Sequence, residues 1–126
     1  MKEKTFLQEI MSPHEYQVQV ALGSITKGFG VINSGTGFQV HFPNRYTVSV
    51  VFGPGTYSDH HNTSFSDLKK EPHESTSAEI AVFDSNGSFI TARCFKEIFP
   101  DRGSDDVIGY VSPVEVVKIM VWAMAQ

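Results

Sequence analysis

The chain has one cysteine, Cys94, among 126 residues, which excludes an internal disulfide and points to a reducing cytosol. It has no surplus of positive charge: 10 Lys and Arg face 14 Asp and Glu, a formal net charge of −4. Lys69-Lys70 is the only adjacent basic pair, and Glu71 follows it directly. Non-specific binding to DNA or RNA needs clustered cations, so no nucleic-acid polymer is expected as a partner. There is no dense acidic run either, which weakens any reading as a nucleic-acid mimic. The longest apolar stretch, 116–125, is interrupted by Lys118 and is too short to cross a bilayer. No segment reads as a signal peptide, and a cytoplasmic location is expected. Paired cysteines, HExxH, GxSxG and GxxxxGK[ST] are all missing, which removes the most readily recognised zinc, hydrolase and P-loop chemistries.

What is present is ordinary globular composition, 40% hydrophobic and 19% charged, enough for one domain with its own core. Residues 5–11 are spaced for a short N-terminal helix or arm. Residues 16–22 alternate strictly, with Tyr16, Val18, Val20 and Leu22 on one side, and predict a half-buried strand. Residues 27–33 and 36–42 read as two more strands joined at Ser34-Gly35. The next places Tyr46, Val48, Val50 and Phe52 on one side and Thr47, Ser49, Val51 and Gly53 on the other. Residues 58–77 then lose all periodicity and predict a long surface excursion, a length more often functional than idle. Residues 78–83 and 88–95 read as strands around the turn Asp84-Ser-Asn-Gly87, and 107–111 as a further strand. Ser112, Pro113 and Glu115 form a capping box with proline at the first helical position, opening a terminal helix. Its expected apolar stripe is Val114, Val117, Met120, Val121 and Met124, broadened by Trp122. The fold class is therefore α+β: an antiparallel sheet of about six strands packed with a C-terminal helix, in a single domain over 1–126.

Candidate chemistry concentrates where the strand over 46–52 ends. Gly53 and Gly55 flank Pro54, allowing a sharp bend that exposes backbone amides beside Thr56, Tyr57 and His60. Such a strand end can hold a small polar or anionic ligand; the plainer reading is a strand followed by a turn. Arg45, Arg93 and Arg102 are the chain's three arginines and can clamp phosphate or stack on a base. Surface ion pairing with the carboxylates is the competing reading for each. With Phe52, Tyr57 and Phe95 they supply the ingredients of a nucleotide pocket. His60-His61 with His73 is a poor metal set, because adjacent side chains diverge in extended chain and the third lies in the excursion. Gly28-Phe-Gly30 and Gly35-Thr-Gly37 are better explained as tight turns than as phosphate loops. Cys94, with apolar neighbours, reads as a buried structural thiol, and no catalytic constellation emerges.

The pattern N-x-Y-T-V-S-V-x-F-G-P-G-T-Y over 44–57, A-E-I-A-V-F-D over 78–84 and G-Y-V-S-P-x-E-V over 109–116 resembles a group of small bacteriophage proteins. That group is similar to the phage anti-Thoeris family. The resemblance implies a non-enzymatic sponge, without a cofactor, that sequesters cyclic ADP-ribose isomers made by a bacterial TIR-domain enzyme. It extends to cyclic oligonucleotides, and it implies a homo-oligomer of two or more copies. The site expected from the residues themselves, not from the resemblance, is Phe52, Gly53, Gly55, Thr56, Tyr57 and His60 with Arg45, Arg93 and Arg102, closed by the 58–77 segment. The alternative is an anti-CRISPR-like protein–protein inhibitor of a host defence complex.

Overall fold

A computed structural model describes residues 28–68 and 74–126. The elements expected over 5–11 and 16–22 lie outside the described residues, as do Lys69, Lys70 and His73. Within them, five strands form one antiparallel sheet in chain order: β1 (Phe29–Ile32), β2 (Gly37–His41), β3 (Thr47–Val51), β4 (Ala78–Phe83) and β5 (Ile108–Val111). A short helix α1 (Phe65–Leu68) follows β3, α2 (Thr91–Ile98) follows β4, and α3 (Pro113–Met124) closes the chain. The class is α+β, as expected, with five strands in place of about six among the described residues.

The period-2 pattern of β3 does what its sequence predicts. Val48 and Val50 stand opposite Val82 and Ile80 of β4, and all four are buried beneath the two longer helices. Cys94 and Phe95 of α2 and Ile119 and Ala123 of α3 complete this core. At the far edge, β5 joins β4 through Ala78–Val111 and Ile80–Ile108, with an irregularity between the two pairs.

Residues 88–95 depart from the expected strand. The tight turn forms, with Gly87 at φ +79°, and Phe89 makes one bridge to Phe83. The chain then leaves the sheet. Ile90 donates its amide to the Val82 carbonyl at 2.8 Å, and the Thr91 hydroxyl accepts from the Val82 amide at 2.8 Å. Those two contacts satisfy the edge of β4 where a further strand would have paired. Ile90, Cys94, Phe95 and Ile98 then recur at helical spacing against the core.

The capping box of α3 forms as expected: Glu115 donates its amide to Ser112 Oγ at 3.2 Å, and Ser112 donates its amide to Glu115 Oε1 at 2.9 Å. The apolar stripe is different. Ile119 and Ala123 are the buried residues, with Val116, Met120 and Trp122 partly buried, whereas Val114, Val117 and Val121 are 67%, 62% and 54% exposed. This helix is apolar nearly all round, so its periodicity could not select a face. Packing on α2 selects it: Trp122 Nε1 donates to Glu97 at 2.7 Å, and the Arg93 guanidinium lies 5.1 Å from the Trp122 ring centre. The other end of α3 is closed by Asn44, whose amide donates to the carbonyls of Ala123 (2.8 Å) and Gln126 (3.1 Å).

Candidate functional site

The loop after β3 is built more tightly than its glycines suggest. A Cβ on Gly53 would stand 2.0 Å from Thr36 Oγ1, so this glycine is required by close packing against the β1–β2 connection. Gly55 has φ +80° and open space around it, a purely conformational need. Thr56 and Ser58 are buried and joined by a 2.7 Å hydroxyl–hydroxyl bond.

The backbone amides expected to be bare are mostly paired. Thr56 donates to the Gly53 carbonyl (3.2 Å), Ser58 to the Thr56 carbonyl (2.9 Å) and His60 to Ser58 Oγ (3.2 Å). The Tyr57 amide donates to Glu79 Oε1 at 3.1 Å. A carboxylate thus already occupies the place where a ligand anion would dock. The Tyr57 carbonyl accepts from the Tyr110 amide at 2.8 Å, which fastens the loop to β5. Its ring is half exposed and stacks on His61, with centroids 5.1 Å apart and planes at 15°.

The two described arms of the 58–77 excursion, 58–68 and 74–77, are strapped together. The Asp59 carboxylate accepts from the Thr76 amide (2.6 Å), the Thr76 hydroxyl (2.9 Å) and the Ser77 hydroxyl (2.7 Å). The Thr76 amide above all, then the Ser77 and Thr76 hydroxyls, hold this carboxyl below its ordinary range. His60 bridges the same two arms, with Nδ1 toward Thr63 Oγ1 (3.4 Å) and Nε2 against the Glu74 carbonyl (2.5 Å).

Between this strap and the start of α3 lies a cleft of about 410 Å³. Val50 of β3 with Phe52 just past its end, Ala78 of β4 and Val111 of β5 supply its apolar wall, Pro113 and Val116 its helical side, and residues 74–77 its polar rim. An apolar wall with a polar rim along one side suits a small, partly aromatic ligand.

Of the expected site residues, Phe52 alone lines this cleft, while Gly53, Gly55, Thr56, Tyr57 and His60 build the loop beside it. The arginines do not converge. Arg102 donates to the Gly109 (2.9 Å) and Tyr110 (3.0 Å) carbonyls, and its Nε faces Glu115 Oε2 at 3.6 Å as an ion pair. Arg93 donates to Gln126 Oε1 at 3.1 Å. Arg45, held at φ +70° in the β2–β3 turn, lines a separate cleft of about 350 Å³ with His41, Thr47, Phe83 and Asp84, on the opposite sheet face from α2 and α3. Among the described residues no group of three or more His, Cys, Asp or Glu is placed to hold a metal, and no helix is long and apolar enough to cross a membrane. Cys94 is fully buried, and burial pushes its thiol up to about 12.

Residues that sequence reasoning missed are Val50, Ala78, Val111, Pro113 and Val116 on the cleft and Asp59, Glu79 and 74–77 around it. The Ser-Thr-Ser run before β4 was the one available signal. No family model, curated protein or solved structure matches this chain.

Proposed function

We propose that the protein is a phage anti-defence factor that captures a cyclic nucleotide-type immune signal in the Phe52 cleft and does not cleave it. The ligand class is a cyclic ADP-ribose isomer, and by the same resemblance a cyclic oligonucleotide. One observation carries the reading. The three segments that resemble the anti-Thoeris group, 44–57, 78–84 and 109–116, are far apart in sequence yet meet at this cleft. Val50 and Phe52 come from the first, Ala78 from the second, and Val111, Pro113 and Val116 from the third. The remaining described wall is the 74–77 strap. Because Arg45, Arg93 and Arg102 lie elsewhere, recognition in the cleft rests on the base and ribose, with phosphates toward solvent. Sequestration needs retention without bond breaking, and a fully buried, protonated Cys94 offers no nucleophile.

We also propose that the active form is a homo-oligomer of two or more copies, the exposed Val114, Val117 and Val121 being a suitable contact stripe. The same stripe, with exposed Phe29 and Val31 on β1, favours the second reading, a protein–protein inhibitor of a host defence complex.

Thermal denaturation of the purified protein against cyclic ADP-ribose isomers and cyclic di- and trinucleotides tests the first reading, followed by recovery of the bound compound. A raised midpoint with the compound recovered intact is expected. Recovery of an altered compound would replace capture by catalysis. No shift from any member would refute capture and leave the inhibitor reading.

A further inference from the structure

We propose that Asp59 is a positioning residue for the Phe52 cleft: it latches the 74–77 strap and so determines whether an occupant is retained, without touching the occupant. The inference rests on the ligand reading of that cleft.

The geometry is one-sided. Residues 74–77 form the polar rim, while the opposing wall is made of core strands and the start of α3. Strands β3, β4 and β5 are fixed by their ladders and by the buried residues beneath them, so that wall is set by the fold. The strap has no ladder of its own ahead of Ala78. Its described attachments to the rest of the loop are the three Asp59 contacts, at 2.6–2.9 Å, and the His60–Glu74 contact. A single carboxylate takes the Thr76 amide and two hydroxyls, so it fixes both the backbone and the side chains of the rim. Asp59 is itself exposed and lines none of the cleft. Its removal therefore leaves the apolar wall intact and leaves the His60–Glu74 contact as the strap's remaining described attachment to the loop.

The Ser77 hydroxyl gives an independent handle from the strap's side. Once Asp59 is gone, removing that hydroxyl has no latch left to break, so the two substitutions are non-additive in a double-mutant cycle.

The test uses the full chain with Asp59→Ala, Ser77→Ala and both together, each checked for a wild-type far-ultraviolet spectrum. Amide exchange at Thr76 and the methyl resonances of Val50, Val111 and Val116 report the latch without any ligand. The fluorescent apolar probe N-phenyl-1-naphthylamine and the cyclic nucleotide panel report occupancy. Asp59→Ala is expected to raise Thr76 exchange by on the order of tenfold, to move the Val116 methyls, and to weaken probe retention by about tenfold. Ser77→Ala is expected to do the same to a smaller extent, and to add nothing in the Asp59→Ala background. Unchanged Thr76 exchange in a folded Asp59→Ala protein would overturn the latch. So would faster exchange with undiminished retention. If neither probe nor panel binds the wild type while Thr76 exchange still depends on Asp59, the ligand reading falls and the latch alone stands.

Discussion

Filling the cleft from the helix side separates the capture reading from the fold. Val116 is half-buried on α3 and lines the cleft; Val31 on β1 is 78% exposed and does not. Val116→Phe adds roughly four carbons to a space of about 410 Å³, worth at most ~3 kcal/mol at 0.8 kcal/mol per buried methylene. Partial burial and lost rotamer freedom bring the expected gain to about 1 kcal/mol, or a midpoint rise of roughly 3–5 °C for a domain of this size. A ligand at about 100 times its dissociation constant stabilises by ~2.7 kcal/mol, a shift of about 10 °C in the same assay. Val116→Phe should keep or raise the unliganded midpoint and abolish that ligand shift. Val31→Phe, the same chemistry outside both the cleft and the α3 contact stripe, should leave the shift in place. Retention of the full ligand shift by Val116→Phe would refute binding in this cleft, as would its loss in Val31→Phe.

Two further predictions concern the scaffold. Gly53→Ala forces a methyl to within 2.0 Å of Thr36 Oγ1 and should cost about 1–3 kcal/mol in denaturant unfolding; an unchanged midpoint would show that the β1–β2 connection gives way freely. The Cys94 thiol, raised from 9.0 to about 12, should resist thiol reagents in the native protein at pH 8 and react on unfolding. Its raised value keeps the proton in the folded state while the unfolded chain loses it. Stability from this group is thus full below pH 9 and declines between pH 9 and 12, and a stability curve flat across that window would contradict the assignment.

The parts of the fold that were legible in sequence are those decided by neighbours a few residues apart. Alternation in 46–52 placed Val48 and Val50 on the core face, because side-chain direction in a strand follows from parity alone. Ser112, Pro113 and Glu115 announced the start of α3, because a capping box is closed within one turn. The tight turn after β4 was equally legible. Its continuation was not, because Ile90 and Thr91 satisfy the β4 edge through contacts that propensity does not encode.

The candidate site divides along the same line. The glycines after Phe52 marked a constrained loop, yet their reasons differ: Gly53 is required by Thr36, a distant residue, and Gly55 by its own φ. The Tyr57 amide looked free because Glu79, which pairs with it, is 22 residues away and could be matched to it only in three dimensions; the Ser58 contact with the His60 amide is local. Composition supplied three arginines but not their separation into three neighbourhoods.

By itself the sequence determined the α+β class, the strand parity of β3, the turns and the cap of α3, all short-range chemistry. Only the tertiary structure decided which face of an almost uniformly apolar helix is buried. It alone converted 88–95 from an expected strand into α2 and brought Phe52, Val111 and Val116 to one cleft beneath a strap held by Asp59. The helix face and the cleft depend on pairings across 17 residues or more, and the turn into α2 on contacts up to nine residues apart; local periodicity carries no information about which distant surface a side chain will meet.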